Sequence, residues 1–286
     1  MNADKLMKEY YGTAFLDKLS PLAREVVVTN MNYMLVAFGE NVEYERLFHQ
    51  MLLCPETKDY LYRAPEKPTY EWGTRPVLEK AVAEATKGAA TDRERVLGLM
   101  CYIRDLKDKS RGNDYFYGGT EEELIKKGER YCERVSRLMC ALCEIARIPS
   151  RIIFHVSGGH LTNEVFIDGK WSYIDTRFGL FYLDKDGKMM SVTEIMANPD
   201  AIDNQPDWVY EYGSKEYTHE FMRRENRNTY LRPGEIQLYG NYSLRDREMY
   251  HFNWMPSAVY NIPARNEAYK LWAEPRLKYI EQTKVI

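Results

Sequence analysis

Asp168-Gly169, set between Ile167 and Lys170, is the feature that most narrows what this chain can become. A two-residue hairpin turn of type I′ needs positive φ at both central positions, and Asp-Gly is one of the pairs that accept it most readily. Once the turn is set, the register of the flanking strands follows. Ile167 pairs with Lys170, which brings Glu164 opposite Tyr173, Thr162 opposite Asp175 and His160 opposite Arg177. Cross-strand partners share a face, and so do residues two apart on one strand. His160 and Asp175 are therefore diagonal neighbours on one side of the hairpin, about 7 to 8 Å apart at the backbone and within reach of a side-chain hydrogen bond.

Helical patterns precede the hairpin. Pro76 to Glu84 opens one helix, and Thr91-Asp92-Arg93-Glu94 reads as a cap leading into Val96, Leu99, Met100, Ile103 and Leu106. After a polar loop from Ser110 to Thr120, a short helix runs from Glu121 to near Gly128, and a longer one starts close to Cys132. In that longer helix Val135, Leu138, Met139, Leu142, Ile145 and Ala146 form one apolar stripe, and Cys132 extends the same inward face at its first turn. Pro149 stops the helix by removing a donor and restricting Ile148. Strands follow at Arg151 to Ser157, His160 to Ile167 and Lys170 to Thr176, with a further extended piece from Phe178 to Leu183. The expected class is α+β, with the Cys132 helix packed on an antiparallel sheet.

The flanks divide the chain of 286 residues into three parts. Residues 1–75 read as a helical N-terminal extension that ends in a segment, Cys54 to Pro76, broken by five prolines and glycines and read as a linker or irregular surface loop. Residues 76–183 form the core. Residues 184–286 form an aromatic-rich C-terminal extension packed on it, with a short helix expected at Ser191 to Ala197 and no clear period beyond.

A net charge of −3 and a pI near 6.1 give no basic excess for a polyanion, which argues against a nucleic-acid partner. The first residues lack the apolar run of a signal peptide and no stretch is long enough to span a bilayer, so a cytoplasmic protein with no membrane partner is expected, or a secreted one if Met1 replaces a removed signal peptide. The five cysteines are odd in number and without framework spacing, which fits a reducing compartment.

Cys132, His160 and Asp175 together make the residue set of thiol-based acyl transfer. The aspartate fixes the imidazole tautomer and stabilises its charged form, leaving the other ring nitrogen to face the sulfur. A thiolate at a helix N-terminus gains from unpaired N–H groups and the positive end of the dipole. The same N–H groups, that of Cys132 included, are candidate donors to an oxyanion. Asn113, Tyr115, Tyr117 and Trp72 are candidates for a second donor or for substrate contact. Among the C-terminal aromatics, which include Trp208, Tyr210, Tyr212, Tyr230 and Tyr239, Trp254 is the first candidate for a substrate wall.

Gly128 to Asp175 resembles the transglutaminase-like core of the papain-like cysteine enzymes. Cys132 opens the helix, Ile148-Pro149-Ser150-Arg151 matches the family's Gly-Ile-Pro-Ala-Arg stretch, and His160 is followed by Glu164-Val165, Trp171 and Asp175 in the family's order and intervals. With the preceding helices the resemblance covers about residues 76 to 183. It implies that Cys132 is the nucleophile, His160 the general base and acid, and Asp175 the orienting carboxylate, with no cofactor and no metal. Arg147, Leu161-Thr162 and Thr176-Arg177 depart from the family pattern and alter the walls around the site.

The expected reaction is acyl transfer through a thioester on an amide of a peptide, a protein or a glycan-bearing molecule, with hydrolysis as the first choice. Amine transfer by protein cross-linking is the alternative, and a catalytically inert peptide- or glycan-binding module of the same fold is the second class of reading. Cys140 and Cys143 lie mid-helix without a second ligand pair and read as packing. Asp184 to Lys188 starts like a calcium loop but carries Lys188 at a ligand position, so it reads as a polar turn. His155 reads as a surface or core residue, and Arg223, Arg224 and Arg227 as a solvated helix face.

Overall fold

The structure, a computed structural model, describes residues 21, 51–53, 58, 59, 61–106, 120–128, 131–155, 160–235, 237–240 and 244. The helices expected in the first 50 residues lie, Pro21 apart, outside the described residues, as does most of the polar loop before residue 120.

Four helices build the layer beneath the sheet: α1 (Pro76–Ala85), α2 (Asp92–Leu106), α3 (Glu121–Lys127) and α4 (Cys132–Ile145). Three of the starts have a local cause. Pro76 occupies the first turn of α1, where a missing N–H costs nothing, and the Glu79 carboxylate accepts from the Tyr70 hydroxyl at 2.7 Å and the Gly73 amide at 2.7 Å. Thr91 and Glu94 cap α2 reciprocally, the Glu94 amide donating to Thr91 Oγ1 at 3.2 Å and the Thr91 amide to Glu94 Oε2 at 3.0 Å. Thr120 and Glu123 do the same for α3, which ends at Gly128 with φ of 80°.

Helix α4 is buried on nearly every side, with Leu138, Met139, Ala141, Leu142 and Cys143 all at 0 % exposure. It runs between the α1/α2 layer and the sheet, so the expected stripe on one face has become a helix wrapped by core. Each fully buried Leu or Ile there contributes roughly 1.5–3 kcal/mol. Arg75, just before α1, bonds Glu121 Oε2 at 2.8 Å, and Glu121 lies 3.7 Å from the Arg137 guanidinium, tying α3 to α4.

The sheet has five strands among the described residues, all antiparallel, in the order β1 (Met51–Leu52), β5 (Gln237–Gly240), β2 (Ser150–His155), β3 (His160–Ile167), β4 (Lys170–Ile174). The fold is α+β, as expected. Asp168 at φ 54° and Gly169 at φ 79° make the two-residue turn, and Ile167 pairs with Lys170 and Glu164 with Tyr173 as the turn requires. Strand β4 ends at Ile174, short of the expected Thr176. Asp175 leaves the ladder because its Oδ1 accepts from the amides of Arg177 and Phe178, both at 3.0 Å, curling the chain into a turn that closes with an Asp175 bridge to Leu180.

One buried ion pair joins the sheet to its N-terminal flank. Arg151 donates through Nε to Glu164 Oε2 at 3.0 Å and through Nη1 to the Leu61 carbonyl. Its guanidinium lies between aromatic faces, 3.9 Å from Trp171, 4.4 Å from Tyr239 and 4.8 Å from Tyr62. Glu164 Oε1 accepts from the Tyr62 hydroxyl at 3.0 Å and from the Val192 amide at 2.7 Å. The segment read as a loop is irregular from residue 64 to 75, but Leu61 and Tyr62 dock on the sheet instead of lying on the surface.

Beyond the hairpin come α5 (Val192–Ala197), a 3-10 turn (Pro199–Ile202), α6 (Asp207–Glu211), α7 (His219–Glu225) and a single π-helical turn (Asn226–Tyr230) leading into β5. Arg227 is partly exposed and lies in the π turn beyond the helix. It bridges Asp200 at 2.6 Å and Asp203, fastening the π turn to the 3-10 turn, while Arg223 lies 5.4 Å over the Tyr210 ring and Arg224 remains exposed. Asp184 Oδ1 accepts from the amides of Asp186 and Lys188, both at 2.9 Å, which makes that segment a self-capped polar turn. Among the described residues no helix is long and apolar enough to cross a membrane.

Candidate active site

Strand β3 begins with His160 and the β4 end carries Asp175, so the hairpin register brings the two side chains together. His160 Nε2 lies 2.8 Å from Asp175 Oδ2, and both residues are buried. Burial alone would disfavour the imidazolium, but the charge of Asp175 and its hydrogen bond outweigh that cost, and Cys132 adds a smaller contribution in the same direction. The pKa of His160 rises to about 9. Asp175 is pulled the other way: burial opposes its charge, and His160 with the Phe178 amide holds its carboxyl below the usual range.

The opposite ring nitrogen, His160 Nδ1, is buried and has no hydrogen-bond partner among the described residues. Cys132, 9 % exposed at the first turn of α4, is the thiol whose charge acts on this imidazole. Tyr131 precedes the helix and its side chain makes no cap bond there. The thiol also points toward Glu133 Oε2 at 3.9 Å.

Aromatic rings enclose the imidazole. Tyr230 lies 4.4 Å away, Phe178 5.3 Å and His155 6.1 Å. His155 is fully buried, its Nε2 lies 2.7 Å from the Thr162 hydroxyl, and burial followed by the neighbouring charge of His160 lowers its pKa to about 3. It is a neutral core histidine behind the site. Tyr230 is half-buried, and burial together with the charge of Asp175 pushes its pKa to about 12.

Residues 79–176 match the family model of the transglutaminase-like superfamily. This segment of the chain is similar to a transglutaminase-like core. Members of that superfamily are generally cysteine-dependent acyltransferases and hydrolases, and inert members exist. No curated protein and no solved structure matches the chain. The match ends at Thr176, so in this transglutaminase-like core the walls supplied by Phe178, Tyr217 and Tyr230 come from outside the family segment.

Of the other residues singled out in the sequence, Tyr115, Tyr117, Asn113 and Trp254 lie outside the described residues. Trp72 is 54 % exposed, edge-on to Tyr70 at 6.0 Å in the loop before α1, and has no described contact with Cys132, His160 or Asp175. Cys140 and Cys143 are buried in α4; burial pushes the Cys140 thiol up to about 12 and Cys143 upward as well. Among the described residues no group of three His, Cys, Asp or Glu side chains forms a metal-binding cluster. Sequence reasoning had no signal for Phe178 beside His160. It counted Tyr230 only as one aromatic among many, because a π turn carries none of the periodicities that reveal an element.

Proposed function

We propose that this protein is a cysteine-dependent hydrolase of amide bonds acting through a thioester on Cys132. The observation that carries the reading is the polarity of His160: Nε2 is taken by Asp175, Nδ1 makes no bond among the described residues, and the Cys132 thiol bears on the charge of the same imidazole. With its pKa raised to about 9, His160 holds a proton at neutral pH, which favours an imidazolium beside a thiolate.

The Cys132 thiolate attacks the amide carbon, forming a C–S bond, and the developing oxyanion is met by the Cys132 amide at the uncapped start of α4. His160 passes its proton from Nδ1 to the amide nitrogen as the C–N bond breaks and the amine departs. The now neutral imidazole then takes a proton from water. The resulting hydroxide equivalent attacks the thioester, the C–S bond breaks, and acid and thiolate are released. Asp175 stays ionised throughout and keeps the ring oriented.

Cys132→Ala and His160→Ala are each expected to abolish turnover of peptide-amide substrates with an unchanged circular dichroism spectrum, and Asp175→Asn to impair it without abolishing it. Full activity in Cys132→Ala overturns the mechanism. Incubation with an amide substrate and a primary amine, followed by mass measurement, separates the two outcomes of the thioester: free acid for hydrolysis, an amine adduct for transfer.

A further inference from the structure

We infer that the substrate of this site carries a carboxylate close to the scissile acyl group and that Arg177, braced by the Tyr217 hydroxyl, binds it. This deepens the hydrolase reading above and rests on it.

Arg177 leaves the same turn that orients the imidazole. Its backbone amide is pinned to Asp175 Oδ1 at 3.0 Å, two residues after the aspartate whose other oxygen holds His160. The side chain runs along Phe178, its guanidinium carbon 5.6 Å from that ring, and Nη2 donates to the Tyr217 hydroxyl at 3.2 Å. Phe178 is also the ring that packs 5.3 Å from His160 and 5.1 Å from Tyr217, so guanidinium and imidazole share one aromatic neighbour. The sulfur of Cys132 is within electrostatic range of the guanidinium and favours its charged form.

No carboxylate of the described residues forms an ion pair with Arg177. Asp175, the nearest in sequence, already receives His160 on one oxygen and two backbone amides on the other. A guanidinium that is largely withdrawn from water, held in place by a tyrosine and left without a carboxylate among the described residues is costly unless a ligand supplies the charge. Its planar fork of donors matches a carboxylate. Because it leaves the turn that holds His160 and shares Phe178 with that imidazole, the carboxylate it binds is expected close to the carbon under attack.

Iodoacetate and iodoacetamide test this without knowledge of the substrate. They have nearly the same size and react identically: the thiolate forms a C–S bond, the C–I bond breaks and iodide leaves. They differ in that one carries a carboxylate and the other a neutral amide. The rate of modification at Cys132, followed by peptide mass, gives an iodoacetate to iodoacetamide ratio that is divided by the ratio for free cysteine in the same low-salt buffer.

The expected ratio in the wild-type protein is about tenfold above that of free cysteine. Arg177→Gln is expected to return it to the free-cysteine value, and Arg177→Lys to keep part of the preference, which separates charge recognition from loss of fold. A wild-type ratio equal to that of free cysteine, or an equal fall with both reagents in Arg177→Gln, overturns the inference while the thiol chemistry stands. If neither reagent labels Cys132 faster in wild type than in His160→Ala, the hydrolase reading itself fails and this inference falls with it.

Discussion

The Tyr230 ring lies 4.4 Å from the His160 imidazole, tilted 39° to it, and reaches that position from a π-helical turn instead of from the hairpin or the helix that supply the other groups. Asn226 anchors the turn: it accepts from the Tyr173 hydroxyl at 2.7 Å and donates to the Met222 carbonyl at 3.1 Å. The ring covers the imidazole and keeps water from its face. Tyr230→Ala is expected to lower kcat/KM by about tenfold, while Tyr230→Phe, which keeps the ring, stays within about twofold. Equal losses in both variants would move the role from the ring to the hydroxyl.

The raised pKa of His160 sets the alkaline limit. On the proposed mechanism the protonated form is the acid that releases the amine, so kcat/KM is expected to fall as pH rises through about 9. In Asp175→Asn burial is left unopposed, and the limb shifts to lower pH. The same group contributes to stability with a definite sign. Its folded pKa exceeds its unfolded value, so that contribution, on the order of 3 kcal/mol, is complete below the ordinary histidine range and disappears as pH rises through the folded value. Denaturant midpoints taken from pH 6 to 10 on wild type and His160→Ala check this, and parallel curves would contradict it.

Arg151→Met leaves the Glu164 carboxylate buried without its guanidinium and is expected to cost about 3–5 kcal/mol in urea unfolding. Adding Glu164→Gln, which keeps an acceptor for the Val192 amide, is expected to recover part of that loss. Arg151→Lys lacks the planar fork that lies between Trp171 and Tyr239 and is expected to fall short of wild type.

Two glycines separate backbone strain from collision. At Gly179 φ is 71° and a Cβ would stand 2.2 Å from the Tyr212 carbonyl oxygen, whereas at Gly169 φ is 79° and a Cβ would meet nothing within 4 Å. Gly169→Ala is expected to cost only the left-handed strain, about 1–2 kcal/mol. Gly179→Ala adds a backbone clash in the turn that carries Asp175, and is expected to cost about 3 kcal/mol or more and to slow alkylation of Cys132.

Much of this arrangement was legible before any coordinates. The Asp168-Gly169 turn dictates a register, and the register delivers His160 to Asp175; helical spacing likewise foretold the start of α4 at Cys132. The motif residues Arg151, Glu164 and Trp171 were legible only as a pattern, and the structure explains them as one buried pair with an aromatic lid. The identity of the site's walls was not legible. Phe178 is turned inward by hydrogen bonds that the backbone donates to Asp175, Arg177 is held by a tyrosine forty positions on, and Tyr230 is set by an irregular turn. None of these interactions leaves a repeating trace in the sequence. Strand β5 escaped for a related reason, since four residues offer too short an alternation to recognise.

The placement of β5 between β1 and β2 has a consequence for the nascent chain. The ribosome releases the strand that begins at Ser150 well before Gln237 exists, and until the latter emerges one side of β2 offers bare N–H and C=O groups to any passing polypeptide. The sheet therefore closes late, by a contact between distant parts of the chain, and a product truncated after the hairpin is expected to aggregate instead of forming a smaller enzyme.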